Sequence, residues 1–174
     1  KASETEKIAK SIEKLHDIYV VPAFAGLGAP YWDMYSRGAI FGLTRDTGVD
    51  HIIKATLESL AYQTKDIIDV MEKDSGIKLK SLKVDGGASM NNYLMQFQSD
   101  LLDCEVLRPE IIETTAMGAG YLAGIQSNIW DKDQIIKNQK IERSFNPTIN
   151  NSERKKMYSG WKKAVNRTFN WIEK

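Results

Sequence analysis

The chain has 174 residues, 42% hydrophobic and 27% charged, and its 24 basic and 23 acidic side chains leave a net charge of +1. Such a composition excludes a disordered or fibrous chain, and near neutrality removes the electrostatic case for nucleic acid or an anionic membrane as partner. The length suits one domain, whose folding would bury roughly 70% of the extended-chain surface.

Lys1, not Met, opens the chain, which leads us to expect an excised or processed piece of a longer protein. Ser3-x-x-Glu6 has the spacing of a capping box, and Ile8, Ile12 and Leu15 share a face, so a helix is expected over 4–16. Tyr19 to Phe24 reads as a strand, with Pro22 favouring an edge or a strand end. The loop Gly26-Leu27-Gly28-Ala29-Pro30-Tyr31-Trp32 follows, and its two aromatics are expected to cover the core. Arg37 to Thr44 is a second strand. Asp50 is the expected N-cap of the longest helix, which runs to about Asp74 before Gly76. Its stripe of Ile53, Leu57, Leu60, Ala61, Ile67, Ile68 and Met71 predicts the core-facing side. His51 sits in the first turn, where an imidazolium would oppose the helix dipole, so a neutral, structural role is expected. With His16 in a different element and no cysteine partner, neither histidine is expected to bind metal.

The stretch Val84-Asp85-Gly86-Gly87-Ala88-Ser89-Met90-Asn91-Asn92 organises the middle of the chain. Before it, Leu82 and Val84 alternate with Ser81, Lys83 and Asp85 at the period of a strand; after it, Leu94, Phe97, Leu101 and Leu102 recur at helical spacing. A glycine pair between strand and helix lets the backbone reach φ > 0 and lets a ligand approach main-chain N–H groups. The helix N-terminus adds a positive charge of about half an electron. Two readings fit: a phosphate- or nucleotide-facing turn, or a tight connection capped by Ser89 or Asn91. Gly-x-Gly-x-x-Gly is absent here, and the P-loop spacing is absent from the whole chain.

Cys104, the only cysteine, rules out an intrachain disulfide and makes a reducing cytoplasm the expectation. Its neighbours Asp103 and Glu105 are expected to raise its pKa rather than lower it, so it reads as structural. Glu105 to Arg108 is a further strand, ended by Pro109. Thr114 or Thr115 is then expected to cap a helix rich in small residues, including Gly118, Gly120 and Gly124. Interior glycine costs about 1 kcal/mol relative to alanine, so something must approach closely, most simply a packed neighbour. Residues 129–143 read as a short helix with loops and 146–151 as a linker. A last helix from Ser152 lays Met157, Trp161, Val165, Phe169 and Ile172 on its docking side. No apolar run approaches the ~18 residues of a membrane span, and no segment reads as a secretory leader. The expected organisation is one α/β layered domain, with a leading helix (1–17), an α/β core (18–145) and a terminal helix (146–174).

Val21-Pro22-Ala23-Phe24-Ala25-Gly26-Leu27-Gly28-Ala29-Pro30-Tyr31-Trp32-Asp33 and Arg37-Gly38-Ala39-Ile40-Phe41-Gly42-Leu43-Thr44 resemble the C-terminal half of the FGGY carbohydrate kinases. The second signature of that family is matched at Gly38, Ile40, Gly42, Leu43, His51, Ile52, Ala55, Thr56, Leu57 and Glu58. Val84-Asp85-Gly86-Gly87 with Asn91, Ala116-Met117-Gly118-Ala119 and Gly160-Trp161 are similar to the family too, so the likeness spans nearly everything from Val20 onward. The Gly-Leu-Gly-Ala-Pro-Tyr-Trp-Asp loop favours its glycerol-phosphorylating branch over xylulose, gluconate or fuculose relatives.

The resemblance implies an actin-like, ribonuclease-H-like α/β fold, a mixed sheet flanked by helices, in a two-domain enzyme of which this chain is the second domain. It implies ATP as cofactor, with Mg²⁺ held mainly through the phosphates. Gly87 would lie at those phosphates and Asn91 at the nucleotide, with Gly86 and Ala88 as backbone neighbours. The other partners implied are the enzyme's own N-terminal domain, glycerol reached through that domain, and a homo-oligomer. No position here is assigned a catalytic role. The family's base, its first phosphate turn and its glycerol-binding residues lie upstream of Lys1, and Asp33 and Asp85 are no substitutes. Phosphoryl transfer works by positioning and charge stabilisation, so the chain alone is expected to be inactive. A non-catalytic nucleotide-binding module and a kinase for another polyol stay open as alternatives.

Overall fold

In a computed structural model, which describes residues 1–12, 17–137 and 139–173, the β-branched and aromatic runs form two small sheets and the amphipathic runs pack across them. β1 (Tyr19–Val21) and β2 (Ala39–Phe41) pair antiparallel, with Val20 opposite Ile40. The second sheet has the order β3 (Ser81–Lys83), β4 (Glu105–Pro109), β5 (Ile141–Phe145); β3 and β4 are parallel, β4 and β5 antiparallel. The helices are α1 (Thr5–Ser11), α2 (Val49–Ser75), α3 (Asn92–Leu102), α4 (Thr114–Gln126), α5 (Lys132–Lys137) and α6 (Asn151–Asn166). The β3–α3–β4 crossover puts the glycine turn just past the C-terminal end of a parallel strand, where open α/β sheets bind ligands.

The core forms where α2, α3 and α6 meet the sheets. Fully buried Trp161 stacks on Tyr62 at 5.2 Å, and Phe97 meets Tyr62 edge-on at 5.4 Å. Two carboxylates of α2 are buried with them. Asp66 accepts hydrogen bonds from Trp161 Nε1 (2.7 Å), Tyr158 Oη (2.6 Å) and Lys162 Nζ (3.4 Å), so the polar atoms of these rings keep partners inside. Eight residues earlier, Glu58 accepts from Tyr93 Oη at 2.5 Å. Burial pushes the Glu58 carboxyl up to about 7, against the Tyr93 hydrogen bond and the Lys54 charge.

Those buried carboxylates correct the expected inner face of α2. Its buried residues are Lys54, Ala55, Glu58, Ser59, Ala61, Tyr62 and Asp66; of the apolar stripe only Ala61 is among them, and Leu60 and Met71 are exposed. The hydrophobic count misleads because each buried carboxylate has hydrogen-bond donors waiting for it. The N-cap of α2 is Gly48 rather than Asp50, and the Gly48 N–H donates to His51 Nδ1 at 3.2 Å. The other end is as expected: Gly76 closes the helix in the left-handed conformation at φ 70°.

Other boundaries move for local reasons. The leading helix ends at Ser11, where Ile12 turns extended, and the rest of the expected span, with His16, lies outside the described residues. The expected second strand shortens to three residues. The polar run 141–145 is a strand that sequence reading missed; only Phe145 of it is buried, and a charged edge strand has no apolar alternation to betray it. The expected linker is pinned down instead, because Thr148 N–H donates to Asp100 Oδ1 at 2.6 Å and Gln96 Nε2 to the Asn146 carbonyl at 2.8 Å. Helix α6 starts at Asn151, capped by Asn150, and Phe169 and Ile172 lie past its end. Tyr31 packs on Phe169 at 5.7 Å, but its neighbour Trp32 is 78% exposed.

Candidate functional site

The turn after β3 divides its work between two glycines. Gly86 holds φ 76° and ψ 172°, a conformation open essentially only to glycine, and its N–H donates to the Ile112 carbonyl at 2.9 Å. Gly87 opens a single 3-10 turn (Gly87–Met90), and its φ is not positive. A Cβ added at Gly87 would meet nothing within 4 Å. The N–H groups of Gly87 and Ala88 have no acceptor among the described residues. Gly86 therefore shapes the turn, and Gly87 leaves space beside two unpaired donors.

The rest of the segment is already committed. Ser89 is buried, its hydroxyl donates to the Gly86 carbonyl (2.7 Å), and its own carbonyl accepts from Arg108 Nη1 (2.8 Å). Asn91 caps α3, accepting the Leu94 N–H at 3.1 Å, while its Nδ2 donates to Thr5 Oγ1 at 3.2 Å. One amide hydrogen of Asn91 is left over. The α3 N-terminus, which sequence alone offers as an anion site, already holds an anion: Asn92 N–H donates to Glu6 Oε2 at 2.8 Å. Glu6 therefore closes no capping box with Ser3. Burial pushes its carboxyl up, but hydrogen bonds from Lys10 and Asn92 outweigh that and hold it at about 2.

Two openings flank the turn. A hollow of about 420 Å³ lies between Asp85, Ile111, Thr114, Met117, Gly118 and Tyr121. A broader groove of about 520 Å³ runs on the other side, under Ala88 and between Leu60, Leu82 and Leu94, along the edge of β3 that is unpaired among the described residues. Thr114 does not cap α4 with its side chain; its hydroxyl donates to Asp85 and ties the first turn of α4 to the end of β3. The small residues of α4 split in the same way as those of the turn. Gly124 is pressed against Trp130, as close packing predicts, whereas a Cβ on Gly118 or Gly120 would meet nothing within 4 Å. Among the described residues no group of three His, Cys, Asp or Glu side chains could hold a metal ion, and no helix is long and apolar enough to cross a membrane. Cys104 is buried, and burial, Glu72 and Asp103 all push its thiol up, consistent with a structural role.

Comparison with known proteins bears on what this geometry serves. Residues 1–127 match the model of the FGGY family of carbohydrate kinases, C-terminal domain. Over 171 residues, 98% of the chain, it is 58% identical to a glycerol kinase of Alkaliphilus metalliredigens and 57% identical to one of Thermoanaerobacter sp.. It spans 34% of each, about a third of the length of the curated relatives it matches. Among solved structures, Plasmodium falciparum glycerol kinase with ADP superposes with a TM-score of 0.85 at 37% identity, covering 95% of this chain and 33% of that one. A xylulose kinase from Lactobacillus acidophilus at 18% identity and a TM-score of 0.77, covering 95% of this chain and 34% of its own, shares the fold.

Proposed function

Since the chain belongs to the FGGY family of carbohydrate kinases, as its C-terminal domain with the family's actin-like α/β fold, we propose that it is the nucleotide-binding part of an enzyme that phosphorylates glycerol from ATP. The observation that carries this reading is the 58% identity to a glycerol kinase over 98% of the chain. The unpaired Gly87 and Ala88 N–H groups support it in chemical terms: fixed backbone donors suit phosphate oxygens because they need no reorganisation as charge develops. The empty space at Gly87 lets phosphate reach them, and the hollow beside Asp85 and Gly118 has room for more of a nucleotide.

Gly87 and Ala88 bind and orient the phosphates, Gly86 sets their direction, and Asn91 can offer its spare amide hydrogen. Mg²⁺, when bound, would neutralise phosphate charge, held mainly through the nucleotide phosphates; among the described residues no cluster of three His, Cys, Asp or Glu side chains suits it. The base and the glycerol pocket belong to the N-terminal domain, and the rest of the enzyme gives the exposed Leu60, and the edge of β3 that is unpaired among the described residues, a partner. The complete protein works in the cytoplasm as a homo-oligomer.

A coupled assay with ATP, Mg²⁺ and a polyol panel tests the reading. The complete enzyme is expected to prefer glycerol, and the 174-residue chain alone to be inert. Turnover by the chain alone near an ordinary enzyme's ~10 s⁻¹ would contradict the division of labour, and preference for another polyol would contradict the substrate.

A further inference from the structure

The turn is held from a distance. Glu6, on α1, takes hydrogen bonds from Asn92 N–H (2.8 Å) and from Asn92 Nδ2 (3.0 Å to Oε1, 3.2 Å to Oε2). With its amide nitrogen fixed there, Asn92 turns its Oδ1 the other way, to accept from Arg108 Nη2 and Arg143 Nη1, each at 3.1 Å. Arg108, only 4% exposed, uses two more of its donors to bind Glu142 (Nε, 2.7 Å) and the Ser89 carbonyl inside the turn (Nη1, 2.8 Å). Ser89 in turn holds the Gly86 carbonyl. An unbroken run of hydrogen bonds thus leads from α1 to the peptide that aims the Gly87 and Ala88 N–H groups.

We infer that Glu6 is a positioning residue for nucleotide phosphate, acting through Asn92 and Arg108 on the Gly86–Ser89 turn; the inference rests on the nucleotide-binding reading above. The physical ground is that an asparagine amide can be flipped at little cost unless both ends are held. The Glu6 carboxylate accepts only, so it fixes which end of Asn92 faces Arg108. Without it, Asn92 loses the acceptor of its backbone N–H and of its Nδ2, its Oδ1 is held from the guanidinium side alone, and the Arg108 grip on the Ser89 carbonyl loosens with it. Lys10, bound to Glu6 at 2.5 Å, keeps the carboxylate charged and in place. Glu6 lies on another helix from the turn, so it is reached by folding rather than by local sequence.

Two variants test this, Glu6→Gln and Glu6→Ala. Glu6→Gln keeps the shape of the side chain but gives it a donor, so it scrambles the relay without opening a hole. In the complete enzyme it is expected to raise KM for ATP roughly tenfold, the size of losing a hydrogen bond to a charged group, with kcat and KM for glycerol within about twofold. In ¹⁵N relaxation of the ligand-free protein, order parameters of Gly87 and Ala88 should fall while that of Gly160 stays fixed. This second readout needs no substrate, so it survives a failure of the kinase reading; loss of ATP use in the parent would indict that reading alone. Glu6→Ala should show the same pattern. Equal rises in both KM values, or unchanged order parameters at Gly87 and Ala88, would overturn the inference and leave Glu6 a stabiliser of α1.

Discussion

The turn after β3 and the seam between β1 and α6 each place a glycine where a side chain is expected, and they use it in opposite ways. At the seam, a Cβ on Gly160 would overlap the Tyr19 hydroxyl, which donates to the Met157 carbonyl at 3.1 Å. That glycine is there because the chain itself fills the space. At the turn, a Cβ on Gly87 would meet nothing, and two N–H groups beside it are unpaired among the described residues. Open space at a glycine is not by itself a site, since Gly76 and Gly86 have it too; on the reading proposed here, what sets Gly87 apart is that pair of donors beside it. Each region is also backed by a buried carboxylate of α2, Asp66 behind the seam and Glu58 behind the start of α3.

The contrast breaks most visibly at the seam. Gly160→Val puts a branched side chain where the Tyr19 hydroxyl sits and breaks its hydrogen bond to Met157, and overpacking of this kind should cost about 3 kcal/mol. Thermal melting should fall by roughly 10 °C for a chain of this size, with ATP affinity of the surviving folded protein unchanged.

Behind the turn, burial holds Glu58 protonated up to about pH 7 in the fold, whereas it ionises near 4.5 when exposed. A folded pKa raised in this way gives stability that is complete below about 4.5 and is lost as pH rises toward 7. The shift corresponds to roughly 3 kcal/mol. Urea midpoints of the parent should therefore decline across that window, and those of Glu58→Gln should decline less. At the seam, Asp66→Asn puts an amide donor among the Trp161, Tyr158 and Lys162 donors. It should cost about 2 kcal/mol, read by the same melts, with Tyr158→Phe recovering part of the loss. The smallest stability effect sharpens the comparison: Gly87→Val should stay within about 0.5 kcal/mol of the parent while raising KM for ATP at least tenfold in the complete enzyme. An unchanged KM with a lowered melting temperature would return Gly87 to a structural role.

Sequence made the strand–turn–helix legible because its signals are local: alternation before Gly86, helical spacing after Asn91, and an asparagine able to cap. The pattern could not say which glycine carries the positive φ, since either residue of a pair can supply it and only the Gly86 bond to Ile112 decides. Nor could it show that the α3 N-terminus is filled by Glu6, a contact spanning 86 residues. The inner face of α2 was misread for a related reason. Leu60 and Met71 look buried by hydropathy and are not, while Glu58 and Asp66 look exposed and are buried, because their partners Tyr93, Tyr158 and Trp161 come from other helices. Strand β5 escaped because Glu142 and Arg143 interrupt any alternation, although Glu142 pairs with Arg108 across the ladder.

The most direct test of the turn as phosphate site is a titration of the ¹⁵N-labelled chain with ADP, followed through its backbone amides. Binding should be weak, in the millimolar range of roughly −4 kcal/mol, because the turn is exposed at Gly87 and Ala88 and leaves one side of the nucleotide facing water. The Gly87 and Ala88 amides should shift first and farthest, with Gly160 and Tyr19 unmoved. Saturable binding that leaves Gly87 and Ala88 in place and moves amides elsewhere would contradict the account.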